Sequence, residues 1–191
     1  GLFGDILGQN AGPQAYSNLA KDFTSAGYNP QTNPEVLRNL TKDLTSDEEY
    51  YDDLRWGSYQ SNISNSKLSP EEMAEITKNG GITPIDWSRA RNIFIVGKQA
   101  TVIDLCSGKK FKVMRIGGSN HADVSPLDKA DTAIFLSLQG RSWNRRSIIL
   151  QVDGKNIAAS MHTMPHGSNN MNGRRSGLYR HFCIHFKGSR T

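Results

Sequence analysis

The sequence predicts an α+β protein: an acidic helical N-terminal region over residues 1–86, then a basic, mostly-β domain over residues 87–191. The domain is expected to be sandwich- or barrel-like, with a single helix on it. Three observations carry this. Residues 1–87 hold 6 Lys/Arg against 13 Asp/Glu, net −7, whereas residues 88–191 hold 17 against 5, net +12. Helix-start signals concentrate before Trp87, and short β-branched runs separated by turn residues dominate after it. No apolar run approaches the roughly 18 residues of a membrane-spanning helix. Two cysteines in 191 residues are too few for a disulfide framework.

In the first region, Leu2, Phe3, Ile6 and Leu7 would share one face of two helical turns. Eight residues are too short to hold a membrane alone, so this face is expected to dock into a protein assembly or a sister subunit, making the protein an oligomer. Helices are predicted over Gln14–Ala26, from Asn33-Pro34 to about Leu44 and, from the capping box Ser46-Asp47-Glu48-Glu49, to about Trp56. The Ser- and Asn-rich stretch Gly57–Lys67 reads as a linker. Ser69 and Pro70 open another helix, Glu71–Lys78, which Gly80-Gly81 stops.

In the second region, Asn92–Val96, Ala100–Asp104 and Lys110–Ile116 read as strands, the last two joined by a turn at Cys106-Ser107-Gly108-Lys109. Ser125-Pro126-Leu127-Asp128 starts a helix that ends near Gly140. Ser147–Val152 and Asn156–Ser160 form a hairpin across Asp153-Gly154-Lys155. Arg180–Lys187 is a further strand.

The chemistry concentrates after Ser160. In His-Phe-Cys-Ile-His-Phe, strand alternation puts His181, Cys183 and His185 on one face and Phe182, Ile184 and Phe186 on the other. The aromatic face must be core, so the thiol and two imidazoles face outward. A nucleophilic thiol needs a base within hydrogen-bond reach. His166 is the best placed, with Gly167 beside it allowing close backbone approach. Residues Gly167–Arg180, rich in Asn, Gly and Arg, read as a mobile lid. His121 and Asp123 on a Gly/Ser/Asn loop either cap a turn or line the same cleft and bind substrate. Thiol chemistry needs no cofactor. The alternative is zinc held by His121, Asp123 and the downstream His162, His166, His181 and His185, although the spacing fits no strong metal motif. Arg141, Arg145, Arg146, Arg174, Arg175 and Arg180 form a basic set for an anionic polymer, or, with Trp143, for nucleic acid. Cys106 sits in a turn; a Cys106–Cys183 disulfide would abolish the nucleophile.

The run Pro165-His166-Gly167, a loop, then His181-Phe182-Cys183-Ile184-His185 resembles the signature of L,D-transpeptidases of the YkuD type: His-Gly, about fifteen residues, then Ser/Thr-His-Gly-Cys-x-Arg/Asn. The resemblance is strong over Pro165–His185 only. Arg180 stands where the family has Ser/Thr, Phe182 where it has Gly, and His185 where it has Arg or Asn. The resemblance implies a mostly-β fold, Cys183 as acyl acceptor, His166 as base, His181 as the accompanying imidazole, and a peptidoglycan stem peptide as substrate. Arg180, His185 and Gly167 would then line the substrate site. No secretion signal opens the sequence. The expectation is therefore a protein that meets peptidoglycan or another anionic wall polymer from outside, carried on a virion such as a phage tail, or else one associated with the cell wall. A structural tail protein keeping the fold without turnover, and a zinc-dependent wall peptidase, are the alternatives.

Overall fold

The computed structural model describes residues 56–190. The apolar N-terminal face and the helices expected before Trp56 lie outside these residues. Along the chain run α1 (Trp56–Ser64), α2 (Pro70–Thr77), β1 (Ile82–Pro84), α3 (Trp87–Ile93), β2 (Gln99–Asp104), β3 (Lys110–Gly117), β4 (Ala122–Pro126), α4 (Lys129–Gln139), β5 (Arg146–Val152), β6 (Lys155–Met161), β7 (His166–Asn169), α5 (Gly173–Ser176) and β8 (Arg180–His185).

The architecture is mostly β, and it is a barrel. Six strands close in the order β6-β5-β2-β3-β4-β8, and β8 returns to β6 through Ser160 opposite His185 and Met161 opposite Ile184. Two further strands extend the sheet. β1 runs parallel to β6, with Ile82 opposite Asn156, and β7 pairs with β8, with His166 opposite His181. Closure removes the free edges of an open sheet.

Strand alternation fills the barrel. Val102, Phe111, Val113, Val124, Ile148, Leu150, Ile157, Ala159, Met161, Phe182, Ile184 and Phe186 share one buried cluster. Phe182 stacks on Phe135 of α4 with centroids 4.2 Å apart. Phe182 is thus an inward-facing core residue of a regular strand. Ile103, Leu105, Ile149 and Ala158 point outward and are covered by Tyr59, Ile63, Leu68 and Ile76 of the α1–α2 segment.

Several expected elements are corrected. Gly57–Lys67 is no linker: α1 occupies Trp56–Ser64, held by Tyr59, whose hydroxyl donates to the Ile148 carbonyl at 2.8 Å. Tyr59 and Ile63, one turn apart, pack this helix against the barrel. The helix opening at Ser69 forms as expected, with a reciprocal Ser69–Glu72 capping box. The run Asn92–Val96 is not a strand: Trp87 and Ala90 bury one face of α3, and the C-cap Phe94 is buried just after it. The domain therefore carries α3, α4 and α5 rather than one helix. The loop around His121 leads straight into a strand, β4, which pairs with both β3 and β8. The segment read as a lid folds into β7 and α5 and is pinned to the barrel. Asn170 Nδ2 donates to Ser125 Oγ at 2.6 Å and to the Leu178 carbonyl, and Asn172 Nδ2 donates to the Pro126 and Leu127 carbonyls. Among the described residues no helix is long and apolar enough to cross a membrane.

Candidate active site

The outward face of β8 is the floor of the site. Cys183 lies directly opposite Asp123 of β4, His185 opposite Ser160 of β6, and His181 opposite His166 of β7. Three different strands thus deliver their polar side chains to one patch because each presents its apolar residues inward.

Cys183 is buried, and its Sγ lies 3.4 Å from His166 Nε2. His166 Nδ1 lies 2.9 Å from the Met164 carbonyl oxygen. A carbonyl only accepts, so Nδ1 carries the proton and Nε2 presents its lone pair to the thiol. That is the tautomer a general base requires. The neighbouring ring of His162 is fixed in the opposite sense: its Nδ1 accepts the Met164 N–H at 3.2 Å.

On the other side of the sulfur, Asp123 Oδ1 lies 3.6 Å from Sγ, 3.4 Å from His121 Nε2 and 3.6 Å from His181 Nε2. Burial pushes the Asp123 carboxyl up, but the His121 contact, the His181 charge and the Cys183 thiol outweigh it and hold it below the ordinary value. Asp123 in turn raises His121. His181 is lowered by burial, which the Asp123 charge only partly offsets. His121 itself is aimed by its Nδ1–H, which donates to the Arg190 carbonyl at 2.6 Å.

The support beneath His121 is Arg115. Its buried guanidinium donates to the carbonyls of Gly117, Gly118, Arg91 and Phe94 and lies 4.8 Å over the Trp87 ring. Gly118 (φ +91°) is obligatory here, since a Cβ would fall 2.0 Å from the His121 carbonyl oxygen. Gly167 (φ +76°) plays a matching part across the site, where a Cβ would fall 2.0 Å from His181 Cε1. Its glycine makes room for the His181 ring.

All five histidines of the chain join this patch. Ring centroids lie 4.5 Å apart for His121–His185, 4.6 Å for His166–His181 and 4.9 Å for His162–His166. Burial, followed by the Arg145 charge, pushes His162 down to about 3 and His185 down to about 2. Both rings are therefore neutral in the folded protein.

The structure brings together Cys183, His166, His181, His121, Asp123 and His185, and gives Gly167 a packing role. Arg180 is exposed, and its parity on β8 matches Phe182, so it does not share the Cys183 face. The basic set disperses as well. Arg146 donates to the fully buried Asp104 at 2.8 and 2.9 Å, while Arg174 and Arg175 lie on α5. Cys106 is exposed and Cys183 is buried.

Three lining residues were read for other roles, His162 as a zinc-ligand candidate and Trp143 and Arg145 as part of a basic surface, and the structure brings them to this site. Trp143, 57% exposed, packs its ring 4.7 Å from His162 and 4.9 Å from His166. Arg145 places its guanidinium against His185. His162 continues the outward parity of Ala158 and Ser160, a signal that was available in the strand pattern. Among the described residues, two groupings have the donor types and proximity to hold a metal: His162, His166 and Cys183, and His121, Asp123 and Cys183. No protein-family model matches the chain, and the comparisons with curated proteins and with solved structures find no match either.

Proposed function

We propose that this protein is a peptidoglycan-acting cysteine acyl-transferase or hydrolase with L,D-transpeptidase-like chemistry. The single observation that carries the reading is the ordered dyad: Cys183 Sγ at 3.4 Å from His166 Nε2, with His166 Nδ1 at 2.9 Å from the Met164 carbonyl oxygen. In the reaction the Cys183 proton passes to His166 Nε2, and the thiolate adds to the acyl carbonyl carbon. The leaving amine takes the proton from His166, and a thioester remains on Cys183. An incoming amine or water, deprotonated by His166, then breaks the thioester and frees the thiol. Trp143 walls the base side, and the exposed Arg145 offers a positive charge to an anionic substrate.

The stem-peptide substrate rests on the resemblance over Pro165–His185. The acidic composition of the N-terminal region, 1–86, suits docking into a larger assembly, such as a phage tail, as an oligomer. The basic remainder suits an anionic wall polymer.

The test is an acyl probe, a carbapenem or an activated thioester, followed by peptide mass mapping. The adduct is expected on Cys183, absent in Cys183→Ala, and formed about 10²- to 10⁴-fold more slowly in His166→Ala, the usual worth of a general base. An adduct confined to the exposed Cys106 would sink the proposal. Turnover of a muropeptide with and without an amine acceptor separates transfer from hydrolysis.

A further inference from the structure

We propose that His121 Nε2, Asp123 Oδ1 and Cys183 Sγ form a binding site for a zinc-class divalent metal ion, set on the side of the sulfur away from His166. Metal and imidazole base would then compete for one thiol.

Geometry is the first argument. The three donor atoms lie within 4.8 Å of one another. The contact of Asp123 Oδ1 to His121 Nε2, at 3.4 Å, is long for a nitrogen–oxygen hydrogen bond, and the Cys183 thiol donates to the same oxygen at 3.6 Å. Both distances match the edges of a ligand tetrahedron. With metal–nitrogen and metal–oxygen bonds of about 2.0–2.1 Å and a metal–sulfur bond of about 2.3 Å, tetrahedral angles put N···O at about 3.3 Å and S···O at about 3.5 Å. Two of the three donor-to-donor distances are thus those of ligands around one ion, and the third lies within 4.8 Å.

Tautomer and charge are the second. His121 donates its Nδ1–H to the Arg190 carbonyl at 2.6 Å. When the ring is charged, Nε2–H faces Asp123; when it is neutral, Nε2 presents a lone pair to the site, and a metal ion can take the proton's place. A backbone carbonyl fixing the remote nitrogen is the usual support of a metal-bound histidine. Asp123 also opposes a bare thiolate, since two negative charges would sit 3.6 Å apart. A divalent cation between them removes that repulsion, and carboxylate plus thiolate neutralise it. The rival set, His162, His166 and Cys183, is less prepared. His162 spends Nδ1 accepting the Met164 N–H, so its neutral ring carries the remaining proton on Nε2.

Three protein ligands leave one position for water or a substrate atom, the pattern of an open site. Binding deprotonates the thiol: the metal–sulfur bond replaces S–H, the proton goes to solvent, and nothing is oxidised or reduced.

The experiment titrates the full chain with Co²⁺ alone, then with Zn²⁺ in competition. It reads binding without turnover, so its outcome is independent of the acyl-transfer proposal. A thiolate-to-cobalt charge-transfer band with the strong visible bands of a tetrahedral site is expected, and Zn²⁺ should displace it. Cys183→Ser should abolish the band and Cys106→Ser should leave it. His121→Ala and Asp123→Asn should weaken Co²⁺ binding at least tenfold, and His162→Ala should not. The unmodified protein gives a second readout that does not depend on variants folding: Zn²⁺ should protect Cys183 from iodoacetamide while Cys106 still reacts. No charge-transfer band, a band that survives Cys183→Ser, or equal alkylation of Cys183 with and without Zn²⁺ overturns the site. A band insensitive to His121→Ala and lost in His162→Ala overturns this ligand set in favour of the other.

Discussion

Gly167→Ala tests whether the site is held by packing as tight as the structure indicates. The new Cβ would lie 2.0 Å from His181 Cε1, 2.8 Å from Nδ1 and 2.9 Å from Nε2. To reach an ordinary contact of 3.4 Å, ring and backbone must part by about 1.4 Å. The backbone cannot simply yield, because φ is +76° and an L-residue there costs about 1–2 kcal/mol. Forcing the extra methyl into a filled space adds about 1–3 kcal/mol. The sum, about 2–5 kcal/mol, should lower the melting temperature by roughly 5–15 °C. His181 packs 4.6 Å from the His166 ring, so displacing it moves His166 as well. A misplacement near 1 Å can cost about 10²-fold in rate. Calorimetry reads the first effect, and the rate of Cys183 alkylation, resolved from Cys106 by mass mapping, reads the second. A variant with an unchanged melting temperature and an unchanged Cys183 rate would refute the close approach of residue 167 to His181.

Acid should destabilise the fold early. His162 and His185 are held down to about 3 and about 2, first by burial and then by Arg145, so the unfolded chain binds more protons below about 6.5. Stability is expected to rise with pH from about 3 to about 6.5, and the melting temperature should fall steadily from pH 7 to pH 4. Replacing both rings by Gln should flatten that slope; a flat profile in the unaltered protein would mean the rings titrate normally. Arg115→Met strands four carbonyls and should destabilise by about 3 kcal/mol or more in denaturant unfolding. Asn172→Ala removes the donor to the Pro126 and Leu127 carbonyls and should lose about 1–3 kcal/mol, with Asn172→Asp no better because it supplies no N–H. Trp143→Ala should leave stability within about 0.5 kcal/mol, since the ring is exposed. It should nevertheless slow acylation of Cys183 about three- to tenfold, the worth of an aromatic contact on the base.

The strand that carries Cys183 was legible because a period of two is a strong local signal. Phe182, Ile184 and Phe186 could face only a core, which left His181, Cys183 and His185 outside. The hairpin of β5 and β6 was legible from Asp153-Gly154, where Asp153 has φ +49° and Gly154 +72°. β4 was not, because Asp123, Ser125 and Pro126 look like a turn. It is a strand because β3 and β8 offer backbone partners on both sides and because Asn170 and Asn172 donate to the buried Ser125. α3 was hidden by the run Ile93–Val96, whose β-branched residues outweigh a buried helical face of only Trp87 and Ala90. The site divides in the same way. His166 and Cys183 stand seventeen residues apart with a readable spacing. Asp123 reaches Cys183 from sixty residues away, through a strand register that no local pattern encodes. Arg115 carried no signal at all, since its work is to bind carbonyls that exist only once the chain has folded.

The placement of the thiol ties the two proposals together. A nucleophile served only by a base would gain from positive neighbours, yet the cross-strand partner of Cys183 is a carboxylate. That pairing is fixed by the barrel, because shifting β4 by one residue would turn Val124 out of the core. Asp123 therefore cannot leave the thiol, and the protein must neutralise it. His121 and His181 do so in part, and each approaches Asp123 Oδ1 without a short hydrogen bond. An ion seated between His121, Asp123 and Cys183 would complete the neutralisation and hold the sulfur away from His166. Its departure would return the thiol to the base. If both proposals hold, acylation of Cys183 should fall as Zn²⁺ rises and return in full with a chelator. In Asp123→Asn, which weakens the metal site but leaves His166 and the thiol in place, the same Zn²⁺ should inhibit far less.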